Sequence, residues 1–288
     1  MGIKIITDSN CDLSENFLVE NHIQIIPFTF QLNGNTYTDD FGKALSYKDF
    51  YDAIRKGGMP TTAQITAYTF ENVFREIVLK GESVIYIGFS SALSGTFDSS
   101  VLARKTVLEE FPTADISVID SRSASVGQGL LVSSASMLLK QGKSKQEIVD
   151  WIEENKLKVN QWFTIDSLEH LKRGGRISAT NAALGYLLSV KPILNIINDG
   201  SLNVVTKARG RRKSIMTLFD EYKTRIINPE NQVVYISHGD CLEDAEYLES
   251  LILSELKPKE IVINMLGPVI GSHTGPGVLL VVFIGNER

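Results

Sequence analysis

Short β-branched runs that end in small polar residues, each followed by a helical stretch, set the strongest limit on what this chain can fold into. Residues 3–6 end in Thr7-Asp8-Ser9, residues 83–89 end in Ser90 and the loop to Thr96, and residues 116–119 end in Asp120-Ser121. Between them lie helix signals: Asp12-Leu-Ser-Glu15, a start at Ser46 stopped by Gly57-Gly58, the pattern Phe70, Val73, Phe74, Ile77, and a helix over 126–139. The capping box Ser144-Lys-Gln-Glu147 opens another at 145–155. Strands alternating with helices up to about residue 158 predict a parallel sheet covered by helices. Residues 23–32 and 36–38 flank Asn33-Gly34, a strong hairpin signal, and residues 59–66 read as a loop.

The second half restarts the pattern. Strands are expected at 162–165, 233–237, 261–265 and 278–284, and a second hairpin joins 192–197 to 202–206 through Asn198-Asp-Gly-Ser201. Helices are expected at 167–172 and 179–188 around Gly174-Gly175, at 213–226 before Pro229, and at 243–256. The expected architecture is α/β: two lobes, residues 1–160 and 161–288, with mainly parallel sheets and a ligand site between or within them.

Composition narrows the function. The chain has 288 residues, 43% of them apolar and 22% charged, enough for a large core without disulfides or metal. Its 34 acidic and 29 basic residues give a net charge of -5, which argues against general nucleic-acid binding. Cys11 and Cys241 stand far apart with no metal-ligand spacing and read as reduced thiols. Residues 261–286 carry no formal charge, but glycines and prolines divide them, so they read as strand, glycine-rich loop, strand rather than a membrane span. With no signal-peptide pattern at the start, a soluble cytoplasmic protein is expected.

Five places could carry chemistry. Ser94-Gly95-Thr96 stands where a helix begins, so hydroxyls and free N–H groups could meet an anion there; ordinary N-capping explains it equally well. Thr61-Thr62-Ala63-Gln64 could add donors to that anion or serve as capping residues. His273 sits amid Gly267-Pro268 through Gly277, where an imidazole could donate to an anion or simply satisfy a turn. The run from Lys207 to Lys213, with Arg209, Arg211 and Arg212, could face an anionic ligand or an acidic partner, and Lys172 to Arg176 forms a second basic turn. Walker, Rossmann and Gly-x-Ser-x-Gly patterns are missing, as is a His/Cys metal pattern.

Together these motifs resemble the DegV family of bacterial fatty-acid-binding subunits of fatty acid kinase. The carriers are Thr7-Asp8-Ser9 with Leu13-Ser14, Pro60 to Gln64, Ser91 to Thr96, Asp120-Ser121, Gly174-Gly-Arg-Ile177, Lys191-Pro192 and Gly267 to Gly277. Ala63 and Ile65 depart from the family's usual wording. The resemblance implies no catalysis of the chain's own and no metal or cofactor, but a buried long-chain fatty acid, palmitate-like, as ligand. It implies a carboxylate held by Thr62 and Ser94, with His273 and Arg209 near it and Thr61, Gly95 and Thr96 in support. It also implies a separate kinase catalytic subunit that converts the bound acid to acyl phosphate for phospholipid synthesis. Two rivals remain: a hydrolase built on Ser94, His273 and Asp8 or Asp120, and a lipid-sensing regulatory module.

Overall fold

The structure, a computed structural model, describes residues 2–177 and 190–288. In chain order the strands are β1 (Ile3–Asp8), β2 (Gln24–Ile26), β3 (Thr29–Leu32), β4 (Asn35–Thr38), β5 (Thr61–Ala63), β6 (Ser83–Gly88), β7 (Ile116–Asp120), β8 (Val159–Thr164), β9 (Val190–Ile196), β10 (Leu202–Arg209), β11 (Val233–His238), β12 (Glu260–Met265) and β13 (Leu279–Ile284). The helices are α1 (Glu15–Glu20), α2 (Tyr47–Arg55), α3 (Ala67–Leu79), α4 (Thr96–Glu110), α5 (Val126–Lys140), α6 (Lys145–Asn155), α7 (Glu169–Arg173), α8 (Arg211–Arg225), α9 (Leu242–Glu255) and α10 (Pro268–Thr274). The helix expected at 179–188 lies outside the described residues.

The α/β class is as the sequence reads. The first sheet, ordered β2-β1-β6-β7, is parallel throughout, and all six residues of its central strand β6 are buried. A strand covered on both faces needs such a continuous apolar run. The second sheet, ordered β10-β9-β8-β13-β11-β12, corrects the expectation of mainly parallel sheets: only β11 and β12 pair in parallel. Only part of the reason is local. The Asn198–Ser201 turn folds β10 back on β9, and β13 inserts antiparallel between β8 and β11.

The run at 23–32 is not one strand. Pro27 has no N–H to give a ladder, and Ser9 Oγ accepts the Phe28 N–H at 3.0 Å, so the chain leaves the first sheet after β2 and enters a third. That sheet, β4-β3-β5, keeps the Asn33-Gly34 hairpin with both turn residues at positive φ. It also recruits residues 61–63, expected in a loop, as β5 opposite β3. The glycine-rich segment is corrected too: Pro268 starts a helical turn there, α10, which carries His273 in its last turn.

Besides clusters of their own, the two lobes share a core. One apolar cluster joins Ile5, Ile85 and Ile87 of the first sheet to Phe163, Leu280 and Val282 of the second through Leu130, Leu131, Val132 and Ala135 of α5. Asp12 adds a polar seam. Its carboxylate accepts the Ser125 hydroxyl and the Gly267 N–H, and its carbonyl accepts Asn264 Nδ2 at 2.9 Å.

Burial pushes the Asp12 and Asp39 carboxyls up to about 7, with neighbouring acids adding to the effect. A carboxyl raised in the folded state favours the fold while protonated, and that contribution is lost as pH rises from the ordinary value of 3.8 through about 7. Asp39→Asn, which keeps an acceptor for Ser9 but cannot ionise, should gain stability on the native protein between pH 5 and 8. The expected gain is of the order of a few kcal/mol in urea unfolding; a difference flat across that range would contradict it.

Candidate functional site

A cavity of about 770 Å³, measured out to its mouth, lies where the first sheet's strands end against the face of the second sheet. Parallel sheets collect ligands outside the carboxyl ends of their strands. Asn10 follows β1 here, Phe89 follows β6, and Ala124 and Ser125 follow β7. Gln161 and Phe163 of β8, Ile196, Leu202 and Leu280 form the facing wall, and Val269, Ile270 and His273 of α10 close one side.

Its lining is sorted. Phe28, Phe89, Leu93, Phe163, Leu266 and Leu280 are buried, whereas Thr62, Ser94, Arg176 and His273 are only half-buried. Hydrocarbon therefore makes up most of the interior, beside buried Asn10, Ser125 and Gln161, and hydroxyl, imidazole and guanidinium groups gather where the cavity meets water.

The structure brings Thr62, Ser94 and His273 to this one cavity. Thr62 Oγ1 lies 2.9 Å from His273 Nε2. Pairing of β5 with β3 sets Thr62 opposite Phe30, and α10 delivers the imidazole from 211 residues away. His273 Nδ1 is buried without a partner and faces Gly174, where a Cβ would come within 2.1 Å of it. Burial first, then the charges of Arg176 and Arg173, pushes His273 down to about 4. The ring is neutral at neutral pH.

Ser94 Oγ accepts the Thr96 N–H at 3.3 Å and lies 3.0 Å from Thr96 Oγ1. With Thr96 as hydroxyl donor, the Ser94 proton is left for a ligand. The expected supporting residues work from behind. Thr96 is fully buried and its Oγ1 accepts the Ile65 N–H at 3.2 Å, which fixes the end of the Thr62 loop. Gly95 precedes α4 with the Gln64 side chain against it, and Thr61 is exposed. None of the three lines the cavity.

Arg209 is placed elsewhere. It ends the edge strand β10, pairs with Val190 and is exposed; it is not among the cavity-lining residues. The guanidinium that does line the cavity is Arg176, from the second basic turn. Its Nε donates to Leu93 O at 3.0 Å and its Nη1 to Gly174 O, and burial lowers its pKa. The rest of the basic run is largely committed within the molecule: Arg211 pairs with Asp244 at 2.8 Å and Arg212 lies 4.2 Å over the Tyr247 ring.

Sequence reasoning offered Gln64 as an amide donor, which does line the cavity, but passed over Arg176, Asn10, Ser125 and Gln161 as lining groups. Gln64 and Arg176 stood inside motifs already singled out; Asn10, Ser125 and Gln161 gave no signal, because their roles depend on which turns meet in space. The hydrolase arrangement is not assembled. Asp8 accepts from Tyr86, Phe89 and Asn10, and Asp120 from Ser91 and Arg122, while His273 meets neither. Among the described residues no group of three or more His, Cys, Asp or Glu could hold a metal, and no helix is long and apolar enough to cross a membrane.

A neutral His273 makes a direct prediction. Its imidazole resonances in NMR should stay in the neutral form from pH 8 down to about 5.5 in the ligand-free protein, whereas an exposed histidine titrates near 6.5. A midpoint above 6 would show that the ring is not buried in this way.

Residues 2–286 match the family model described as "Uncharacterised protein, DegV family". A DegV domain-containing protein of Clostridium perfringens is 46% identical over 284 residues, covering 99% of this chain and 98% of its own. Among solved structures, a fatty-acid-binding DegV family protein of Thermus thermophilus superposes with a TM-score of 0.89 at 30% identity, over 99% of this chain and all of that one. A stearic-acid-binding protein of Eubacterium ventriosum superposes with a TM-score of 0.84 at 26% identity, over 99% and 98%. With the match running almost end to end, the chain belongs to the DegV family.

Proposed function

We propose that this chain binds a long-chain fatty acid, carboxylate at the Thr62–His273 mouth and acyl tail among the buried apolar walls. The observation that carries the reading is the sorting of the cavity, with half-buried donors outside and buried hydrocarbon within. Related proteins whose structures are described as fatty-acid-binding support it. A carboxylate needs donors, and the geometry supplies them in series. With its hydrogen on Nε2, His273 donates to Thr62 Oγ1, which frees the threonine hydrogen for the ligand. Ser94 supplies a second hydroxyl, and Arg176 adds positive charge nearby. A tail of about sixteen carbons gains roughly 0.8 kcal/mol per buried CH2, so the chain dominates affinity and the head group sets position.

The exposed mouth favours a carrier that presents its ligand. We place the partner as a fatty acid kinase catalytic subunit, which would phosphorylate the carboxylate to acyl phosphate for phospholipid synthesis in the cytoplasm. The exposed Arg209 suits a docking face better than a head-group role.

Purified protein should carry about one fatty acid per chain by mass spectrometry of the extracted lipid. Thr62→Val and Ser94→Ala should each weaken palmitic acid about ten- to hundredfold, the worth of a hydrogen bond to a charged group. Palmitic acid that fails to bind the native protein defeats the carrier reading. Bound acid that ATP and a fatty acid kinase catalytic subunit never convert to acyl phosphate defeats the kinase role alone.

A further inference from the structure

The cavity's interior is not wholly hydrocarbon. Among the described residues seven buried side-chain nitrogen or oxygen atoms lack a hydrogen bond, and three belong to residues lining this one cavity: Asn10 Oδ1, Gln161 Nε2 and His273 Nδ1. Buried polar groups are normally satisfied, so such a concentration calls for a ligand. His273 belongs to the mouth. The other two do not: Asn10 and Gln161 are each 1% exposed.

Both of these pack round the first turn of α5. Gln161 lies against Gly127 and its Oε1 accepts the Ala124 N–H at 3.2 Å, which fixes the amide's orientation and leaves Nε2 as a free donor. The 3-10 turn Ser9–Cys11, which carries Asn10, meets the same turn of α5, with Cys11 O 2.5 Å from where a Cβ on Gly129 would stand. Ser125, also 1% exposed, gives its hydrogen to Asp12 and keeps its oxygen as an acceptor on the cavity. Gln161 thus offers a free donor, and Asn10 a free acceptor beside the Ser125 oxygen, among the residues that line the inner wall. A hydroxyl is the smallest ligand group that satisfies both, since it accepts from Gln161 and donates to Asn10. A carbonyl would satisfy only the donor, and a double bond neither.

We infer that Asn10 and Gln161 form an inner hydroxyl-binding subsite, and that the acyl chain this protein takes best carries a hydroxyl on an interior carbon. The inference rests on the fatty-acid reading above. Burying a hydroxyl against hydrocarbon alone is costly, so an apolar cavity would bind every hydroxy acid well over tenfold more weakly than its parent.

The test compares stearic acid with a series of positional isomers of hydroxystearic acid, by calorimetry on the full chain. One isomer is expected to bind at least as tightly as stearic acid, with isomers displaced by several carbons about tenfold weaker or more. In Gln161→Met and in Asn10→Leu the ratio of that isomer's affinity to stearic acid's should fall about tenfold, read within each variant. Uniform weakening of every isomer in the native protein overturns the subsite, whether the wall is apolar or holds a water no isomer displaces. An unchanged ratio in both variants overturns it as well. If stearic acid itself does not bind, the fatty-acid reading fails and this inference with it; if only the isomer preference is absent, the inference fails alone.

Discussion

Helix α5 lies between two sheets, and its first turn decides how closely they approach. A Cβ on Gly127 would stand 2.2 Å from Gln161 Cδ, and one on Gly129 would stand 2.5 Å from Cys11 O. Side chains at either place would force the second sheet or the Ser9–Cys11 turn away from the helix. Between them Gln128, fully buried, donates to Thr7 Oγ1 at 2.8 Å and to Ile87 O at 3.2 Å, which ties the helix to β1 and β6. Three consecutive residues therefore place one helix against both sheets. The aliphatic stretch behind them, Leu130 to Val132 and Ala135, then closes the shared core. Overpacking such a junction by even one methyl costs about 1–3 kcal/mol.

The cavity is a consequence of that junction. The second sheet comes to rest over the carboxyl ends of β1, β6 and β7, and the gap left between them is lined by aromatic and aliphatic side chains. Polar groups enter only where turns reach the gap. The Thr62 edge strand and α10 reach it from the mouth, and the Ser9–Cys11 turn and the start of α5 reach it inside. Two polar places in an otherwise apolar cavity are thus built by separate pairs of elements.

Legibility in the sequence followed locality. Strands β1, β6 and β7 of the first sheet, the capping box at Ser144 and the Asn33-Gly34 hairpin are encoded within a few residues, and each stands where its pattern puts it. Of the antiparallel second sheet only the β9–β10 hairpin was legible, because which of the other strands become neighbours is settled in space. Its β13 sits between β8 and β11 although β8 starts at Val159 and β13 only at Leu279. Thr62, Ser94 and His273 each stood in a segment singled out from its own residues, and the resemblance alone gave them one common carboxylate. Arg209 stands apart from the cavity, and a dense basic run looks the same in sequence whether it faces a ligand or water. Arg176, a single guanidinium beside two glycines, reaches the cavity only because its turn packs on Leu93 and under His273.

The state of Arg176 bears on how a carboxylate would be held. Its Nε and Nη1 are already engaged by Leu93 O and Gly174 O, so it cannot close a two-pronged fork with those same donors. It acts on the site through its charge, which together with burial keeps His273 neutral. A neutral imidazole passes a hydrogen bond through Thr62 but adds no second full charge at the mouth. In the proposed complex the carboxylate would therefore rest on hydroxyl donors within a positive field, and its remaining oxygen lone pairs would point to water. That arrangement suits a ligand that another protein must reach, because hydroxyl hydrogen bonds are weaker than a buried ion pair and leave a nucleophilic oxygen exposed.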